Sequence, residues 1–224
     1  MEQRQPHDST VSRSAGPAVR AVLAATALVV FVWLARQASR GETAPFDAVI
    51  RNAIHAWASD WLTATMKLAT QLGSAPFVIV AGLLAVWRLA ASARRRAAAL
   101  LVVATAGAEA IGQLLKFAFH RPRPEPFFGL ADPLSYSFPS THAMISCCFY
   151  GALAAILATS SRSPYVKAGL WALAAAVALA VGFSRVYLGV HYPSDVVAGY
   201  AAAVMWALAL RAVHSAWLAT NYRP

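Results

Sequence analysis

Two histidines, an aspartate and several cations and hydroxyls fall into three short blocks of this 224-residue chain: Lys116–Pro124, Pro139–His142 and Ser184–Asp195. His191 and Asp195 are four residues apart, with Pro193 between them. Pro193 suits the first turn of a helix, where the dipole favours the charge of Asp195. From there the carboxylate reaches the His191 imidazole and fixes its tautomer. The other ring nitrogen keeps a free lone pair, as a nucleophile requires. Arg185 offers a fork that fits two oxygens of one phosphate.

In the second block Pro139 is again expected in a first turn, followed by Ser140, Thr141 and His142. Amides at such a helix start lack helical partners and make an anion site. His142 would stand beside a bound phosphate and protonate a leaving group. In the first block Lys116 and Arg123 flank a turn stiffened by Pro122 and Pro124. Two fixed cations would stabilise the charge that builds in phosphoryl transfer. Each block alone has an ordinary explanation: interfacial anchors, a helix cap, a buried pair. Three such accidents on one face of one small protein are a poor account, and the joint reading is a site that grips and attacks a phosphate.

The elements that must position these blocks are apolar. The chain is 59% hydrophobic and only 12% charged, with mean hydropathy +0.54, about half the charged fraction of a soluble domain. Six stretches, 19–36, 68–88, 97–116, 143–160, 166–183 and 195–212, are each long enough to cross a bilayer as a helix. Residues 45–61 differ. Phe46, Val49, Ile50, Ile54, Trp57 and Trp61 form one helical stripe, while Asp47, Arg51 and His55 lie on the others. This pattern predicts an amphipathic helix in the membrane interface. The expected fold is therefore all-α: a six-span transmembrane bundle with an interfacial helix after the first span. The expected organisation is a disordered cytoplasmic tail over 1–18, a membrane domain over 19–212 with its motifs at 116–195, and a cytoplasmic tail over 213–224.

The formal charge of +10 falls in loops between apolar runs, which argues for anionic lipid rather than nucleic acid. With six spans, eleven of the 19 Lys and Arg share the side of both termini. Outside the three blocks, only Arg36, Arg40, Arg51 and Lys67 lie opposite. The termini are thus expected in the cytoplasm and the three blocks on the extracytoplasmic face of the plasma (inner) membrane. Adjacent Cys147 and Cys148 form neither a disulfide framework nor a metal-ligand spacing. Glu109 lies inside the third span, either functional or a partner for another helix.

The order Lys, six residues, Arg-Pro; then Pro-Ser-x-His; then Ser-Arg, five residues, His, three residues, Asp resembles the type 2 phosphatidic acid phosphatase superfamily. Lys116, Arg123 and Pro124 carry the first signature, Pro139, Ser140 and His142 the second, and Ser184, Arg185, His191 and Asp195 the third. Thr141 stands where the second signature usually has Gly. The resemblance implies attack on phosphorus by His191, support of His191 by Asp195, and acid catalysis by His142. Lys116, Arg123, Ser140, the Thr141 amide and Arg185 would hold the phosphoryl oxygens, with no cofactor and no metal. The implied partner is a lipid phosphate or diphosphate in the bilayer, of the undecaprenyl diphosphate, phosphatidylglycerophosphate or phosphatidic acid type. Oligomeric state is not legible. Phe127, Phe128, Tyr136 and Phe138 read either as a lining for lipid tails or as an interfacial aromatic belt. The same residues also allow a lipid phosphotransferase, or a lipid-binding or transport protein that kept the fold without the chemistry.

Overall fold

A computed structural model describes residues 16–130 and 135–221. Most of the expected N-terminal tail, residues 1–15, lies outside this range. Every element among the described residues is a helix: α1 Pro17–Ser39, α2 Ala44–His55, α3 Asp60–Gln71, α4 Ala75–Ala91, α5 Arg95–Phe119, α6 Thr141–Ala158, α7 Pro164–Tyr187 and α8 Pro193–Asn221. Five of them, α1, α5, α6, α7 and α8, are long and apolar enough to cross a membrane. The bent pair α3 and α4 makes a sixth if it counts as one span.

That pair corrects the expected continuous span over 68–88. The helix breaks after Gln71 and resumes at Ala75, with a bend of 51°. The cause is local. Ser74 caps α4, its Oγ accepting from the Phe77 amide at 3.5 Å, and Pro76 in the first turn has no N–H to continue a preceding helix. The Leu72 carbonyl freed by the break accepts from Tyr150 Oη at 2.9 Å. The helix expected over 45–61 is also shorter. It ends at His55, and Trp61 belongs to α3. At the other end of the chain, α8 runs nine residues beyond the expected boundary at 212.

α6 is the central helix, packed on α5, α7 and α8, while α1 lies on α8, α3 on α7 and α4 on α5. The main core joins Leu101 and Ala108 of α5, Met144, Ile145, Cys148 and Phe149 of α6, and Ala202 and Ala203 of α8. Side chains such as Leu23 and Val29 of α1, Leu83 and Trp87 of α4, and Leu173 of α7 point outward instead. So much exposed apolar surface suits hydrocarbon, not water.

The bundle has two poles. At one, Arg94 ties the α4–α5 turn to the end of α6, donating to Ile156 O at 3.0 Å, Thr159 Oγ1 at 2.8 Å and Ser160 Oγ at 2.9 Å. The other pole gathers α2, the loop from His120 to Ser140, and the turn from Leu188 to Tyr192. All three sequence blocks meet there.

Candidate active site

The site is built on the starts of α6 and α8. In α8, Pro193 is the first helical residue, as expected, and Asp195 sits in the first turn. One Asp195 oxygen, Oδ2, accepts from the Tyr192 amide at 3.0 Å. A first-turn carboxylate thereby satisfies a backbone donor that the helix leaves orphaned. The same oxygen lies 3.2 Å from His191 Nδ1 and accepts from Ser137 Oγ.

His191 is fully buried, and its other ring nitrogen, Nε2, lies 3.1 Å from Arg123 Nη1. A guanidinium only donates. Nε2 is therefore the acceptor, and the ring proton sits on Nδ1, facing Asp195. Burial, followed by the charges of Arg185, Arg123 and Lys116, holds the His191 imidazole well below its usual range and hence neutral.

α6 begins differently from expectation. Ser140, not Pro139, ends the loop as the cap: its Oγ faces the Ala143 amide at 3.5 Å. Pro139 is one residue outside the helix, joined to Phe138 by a cis peptide. The cap position favours a hydroxyl, and Ser140 supplies it. The Ser140 amide donates to the Asp195 carbonyl at 3.0 Å, which locks the second block to the third. Gly199 permits this approach, because a Cβ there would stand 2.5 Å from the Ser140 carbonyl oxygen. Thr141 and His142 occupy the first turn, where amides have no helical partner. The Thr141 methyl is seated against Gly112 of α5.

Three cations complete the site. Arg123 is fixed by Ser135 O at 2.5 Å, Ser135 Oγ at 2.8 Å and Val190 O at 2.8 Å. Lys116 is buried in the last turn of α5 and donates to the Tyr136 carbonyl. Arg185 donates through Nη1 to Thr70 Oγ1 at 2.8 Å, while its buried Nε has no partner among the described residues. Lys116, Arg123 and Arg185 all act electrostatically on both His142 and His191. Among these groups the one carboxylate is Asp195, and its second oxygen, Oδ1, is matched by Arg121 at 2.6 Å. The result is an excess of positive charge around a neutral imidazole, the complement of a phosphate dianion. Among the described residues, no three His, Cys, Asp or Glu side chains gather into a metal-holding group.

The model of the PAP2 superfamily matches residues 97–219, more than half of the chain. The chain belongs to the PAP2 superfamily. Phosphatidylglycerophosphatase B of Bacillus subtilis is 33% identical over 150 residues, 62% of this chain and 69% of that protein. An undecaprenyl-diphosphatase of Sulfolobus acidocaldarius is 35% identical over 105 residues, 45% of this chain and 47% of its own length. A crystal structure of a transmembrane PAP2-type phosphatidylglycerolphosphate phosphatase from Bacillus subtilis superposes with TM-score 0.78 at 25% identity, covering 86% of this chain and 96% of that one.

On this PAP2 fold Lys116, Arg123, Ser140, Thr141, His142, Arg185, His191 and Asp195 come to one pole, although they arise from four helices and two loops. Phe138 is the exception among the aromatics. It is fully buried, with its ring 5.0 Å from Phe119 and 5.9 Å from Phe31, and cannot line a path for lipid tails. Phe127 stacks on His55 at 4.0 Å and Phe128 on Tyr187 at 5.4 Å.

Sequence reasoning missed a second layer. Thr70 orients Arg185, Ser137 reaches Asp195, and Arg121 and Asp47 form an ion pair at 2.8 Å. The signal for Asp47 was a carboxylate in a helix framed by exposed apolar residues. Its partner lay 74 residues away, beyond what local spacing reveals.

Proposed function

We propose that this PAP2 protein is an integral-membrane phosphatase that hydrolyses a lipid phosphate or diphosphate through a phosphohistidine. The observation that carries this reading is the orientation of His191: Nδ1 is tied to Asp195, and Nε2 faces Arg123 inside a cage of cations.

The phosphate displaces the Arg123 contact, so that guanidinium and Nε2 both face the phosphoryl group. The Nε2 lone pair forms the bond to phosphorus while the bond from phosphorus to the lipid oxygen breaks. His142, charged by a proton that arrives with the phosphate, gives that proton to the lipid oxygen. Lys116, Arg123, Arg185, the Ser140 hydroxyl and the Thr141 amide hold the other phosphoryl oxygens. Asp195 supports the positive charge that the ring acquires while Nδ1 keeps its proton. His142 then takes a proton from water, the water oxygen bonds to phosphorus, and the bond to Nε2 breaks, releasing phosphate. Protein cations supply the charge stabilisation that phosphoryl transfer demands.

The relatives named above act on phosphatidylglycerophosphate and undecaprenyl diphosphate by their names. Both are lipids with a terminal phosphoryl group, and they head the substrate panel with phosphatidic acid. The basic pole marked by Arg94–Arg96 and Arg162 supports cytoplasmic termini and an extracytoplasmic site in the plasma (inner) membrane. The outward Phe46 and Val49 of α2 support a helix lying in the interface.

Detergent-purified protein, with EDTA present, should release inorganic phosphate from a lipid of this panel, and His191→Ala should abolish both release and the acid-labile phosphoenzyme. No release from any lipid overturns the reading. Label passing to an added alcohol in place of water makes the protein a transferase.

A further inference from the structure

Asp195 has two oxygens with different work. Oδ2 serves His191, Ser137 and the Tyr192 amide. Oδ1 is held by Arg121, one of the six unspecified positions inside the first signature. One Arg121 nitrogen, Nη1, donates to Asp195 Oδ1 at 2.6 Å and to Ser194 Oγ at 2.8 Å. The other, Nη2, donates to Asp47 Oδ2 at 2.8 Å and to Thr43 Oγ1 at 2.7 Å. The guanidinium lies 4.1 Å over the Tyr192 ring.

Asp47, fully buried, also accepts from the Ser194 amide at 3.0 Å and from Ser194 Oγ at 2.7 Å. It thus serves the first turn of α8 from a neighbouring helix, where a negative charge is favoured. A continuous chain results: Asp47 of α2, Arg121 of the loop, Asp195 of α8, His191.

Resting on the phosphohistidine reading, we propose that Arg121 and Asp47 are positioning residues for the nucleophile. Arg121 pins Oδ1 so that Oδ2 stays in line with His191 Nδ1. Asp47 shares the Arg121 charge, so Arg121 does not fully neutralise Asp195. Taken over Asp47, Arg121, Asp195 and a neutral His191, the chain carries one net negative charge. That charge is matched when phosphorylation at Nε2 makes the ring cationic. Without Arg121, two buried carboxylates would face one α8 terminus, and one would take up a proton.

The test uses three variants of the full chain with kcat and KM measured separately. Asp47→Asn/Arg121→Gln removes the pair without changing net charge, and Asp195 keeps Ser137, the Tyr192 amide and His191 as partners of Oδ2. Its kcat should fall roughly ten- to a hundredfold, the scale seen when partners that orient a functional histidine are removed. KM should stay within about threefold, because neither residue touches substrate. Arg121→Lys keeps the charge but not the fork and should recover part of the loss.

Asp47→Asn alone should move the acid limb of kcat/KM to lower pH. The groups facing His191 are Asp195 from α8, Arg123 from the loop, Arg185 from α7, Lys116 from α5 and His142 from α6. These are unchanged in the variant, so losing the negative charge of Asp47 disfavours protonated His191. A folded double variant with kcat within about twofold of wild type, and an unmoved acid limb, overturns the proposal.

The His191 Nδ1 proton resonance, identified by its absence in His191→Ala, reads the same geometry without turnover. It should broaden into solvent exchange in the double variant, and an unaltered resonance overturns the positioning role. Wild type that releases no phosphate while the resonance responds as expected sinks the phosphatase reading alone.

Discussion

His142 and His191 both stand at helix starts, yet their surroundings differ. His191 is sealed, with both ring nitrogens engaged, while His142, in the first turn of α6, is largely buried but keeps some exposure. A group that must meet a leaving oxygen and then water needs that access. His142→Ala should therefore slow a lipid phosphomonoester by about 10²–10⁴, the usual worth of a positioned acid. It should slow a diphosphate much less, since its leaving group is already a weak base. Initial rates on one lipid of each kind decide this, and equal losses would remove His142 from the acid role. The His191–Asp195 pair was legible because four residues on a helix start bring two side chains together. Asp47 and Arg121 were not, because nothing in either local sequence names the other.

Helices show the same division between local and distant causes. Stretches 19–36, 97–116, 143–160 and 166–183 match α1, α5, α6 and α7 to within a few residues, and 195–212 matches the start of α8, since hydropathy over a helix length is a robust signal. The break at Leu72–Ser74 was hidden by that same averaging, although Ser74 and Pro76 marked it. The match of Thr141 to Gly112 required a view across two helices. A Cβ on residue 112 would approach Thr141 Cγ2 to 2.6 Å. Gly112→Ala should cost about 1–3 kcal/mol by overpacking. Thr141→Gly in the same chain should return most of it. Thermal unfolding of the two single variants and the double gives the coupling, and strictly additive losses would mean that the helices do not meet through this pair.

For the whole molecule, charge and chemistry are separated along the bundle axis. The proposed orientation puts Glu125, in the exposed loop beside the site, outside the cell, and Arg162, in the α6–α7 turn, inside. With Cys147 and Cys148 replaced, a cysteine at 125 should react with a membrane-impermeant maleimide on intact spheroplasts. A cysteine at 162 should react only after permeabilisation, and the reverse pattern would invert the topology. The set of apolar helices was legible because hydropathy over a helix length needs no distant partner, whereas the facing of α2 was not. An amphipathic helix on a soluble protein turns its apolar side inward. α2 does the opposite: Asp47 is sealed inside and Phe46 and Val49 face out. With α2 in the interface, as proposed, lipid would form the back wall behind the Arg121–Asp195 contact. Hydrocarbon against the outer face of α2 would keep that helix rolled with its carboxylate inward. In bare water the helix would gain by rolling over, taking Asp47 away from Arg121. A protein stripped of its lipids would lose its nucleophile's alignment before it lost its fold.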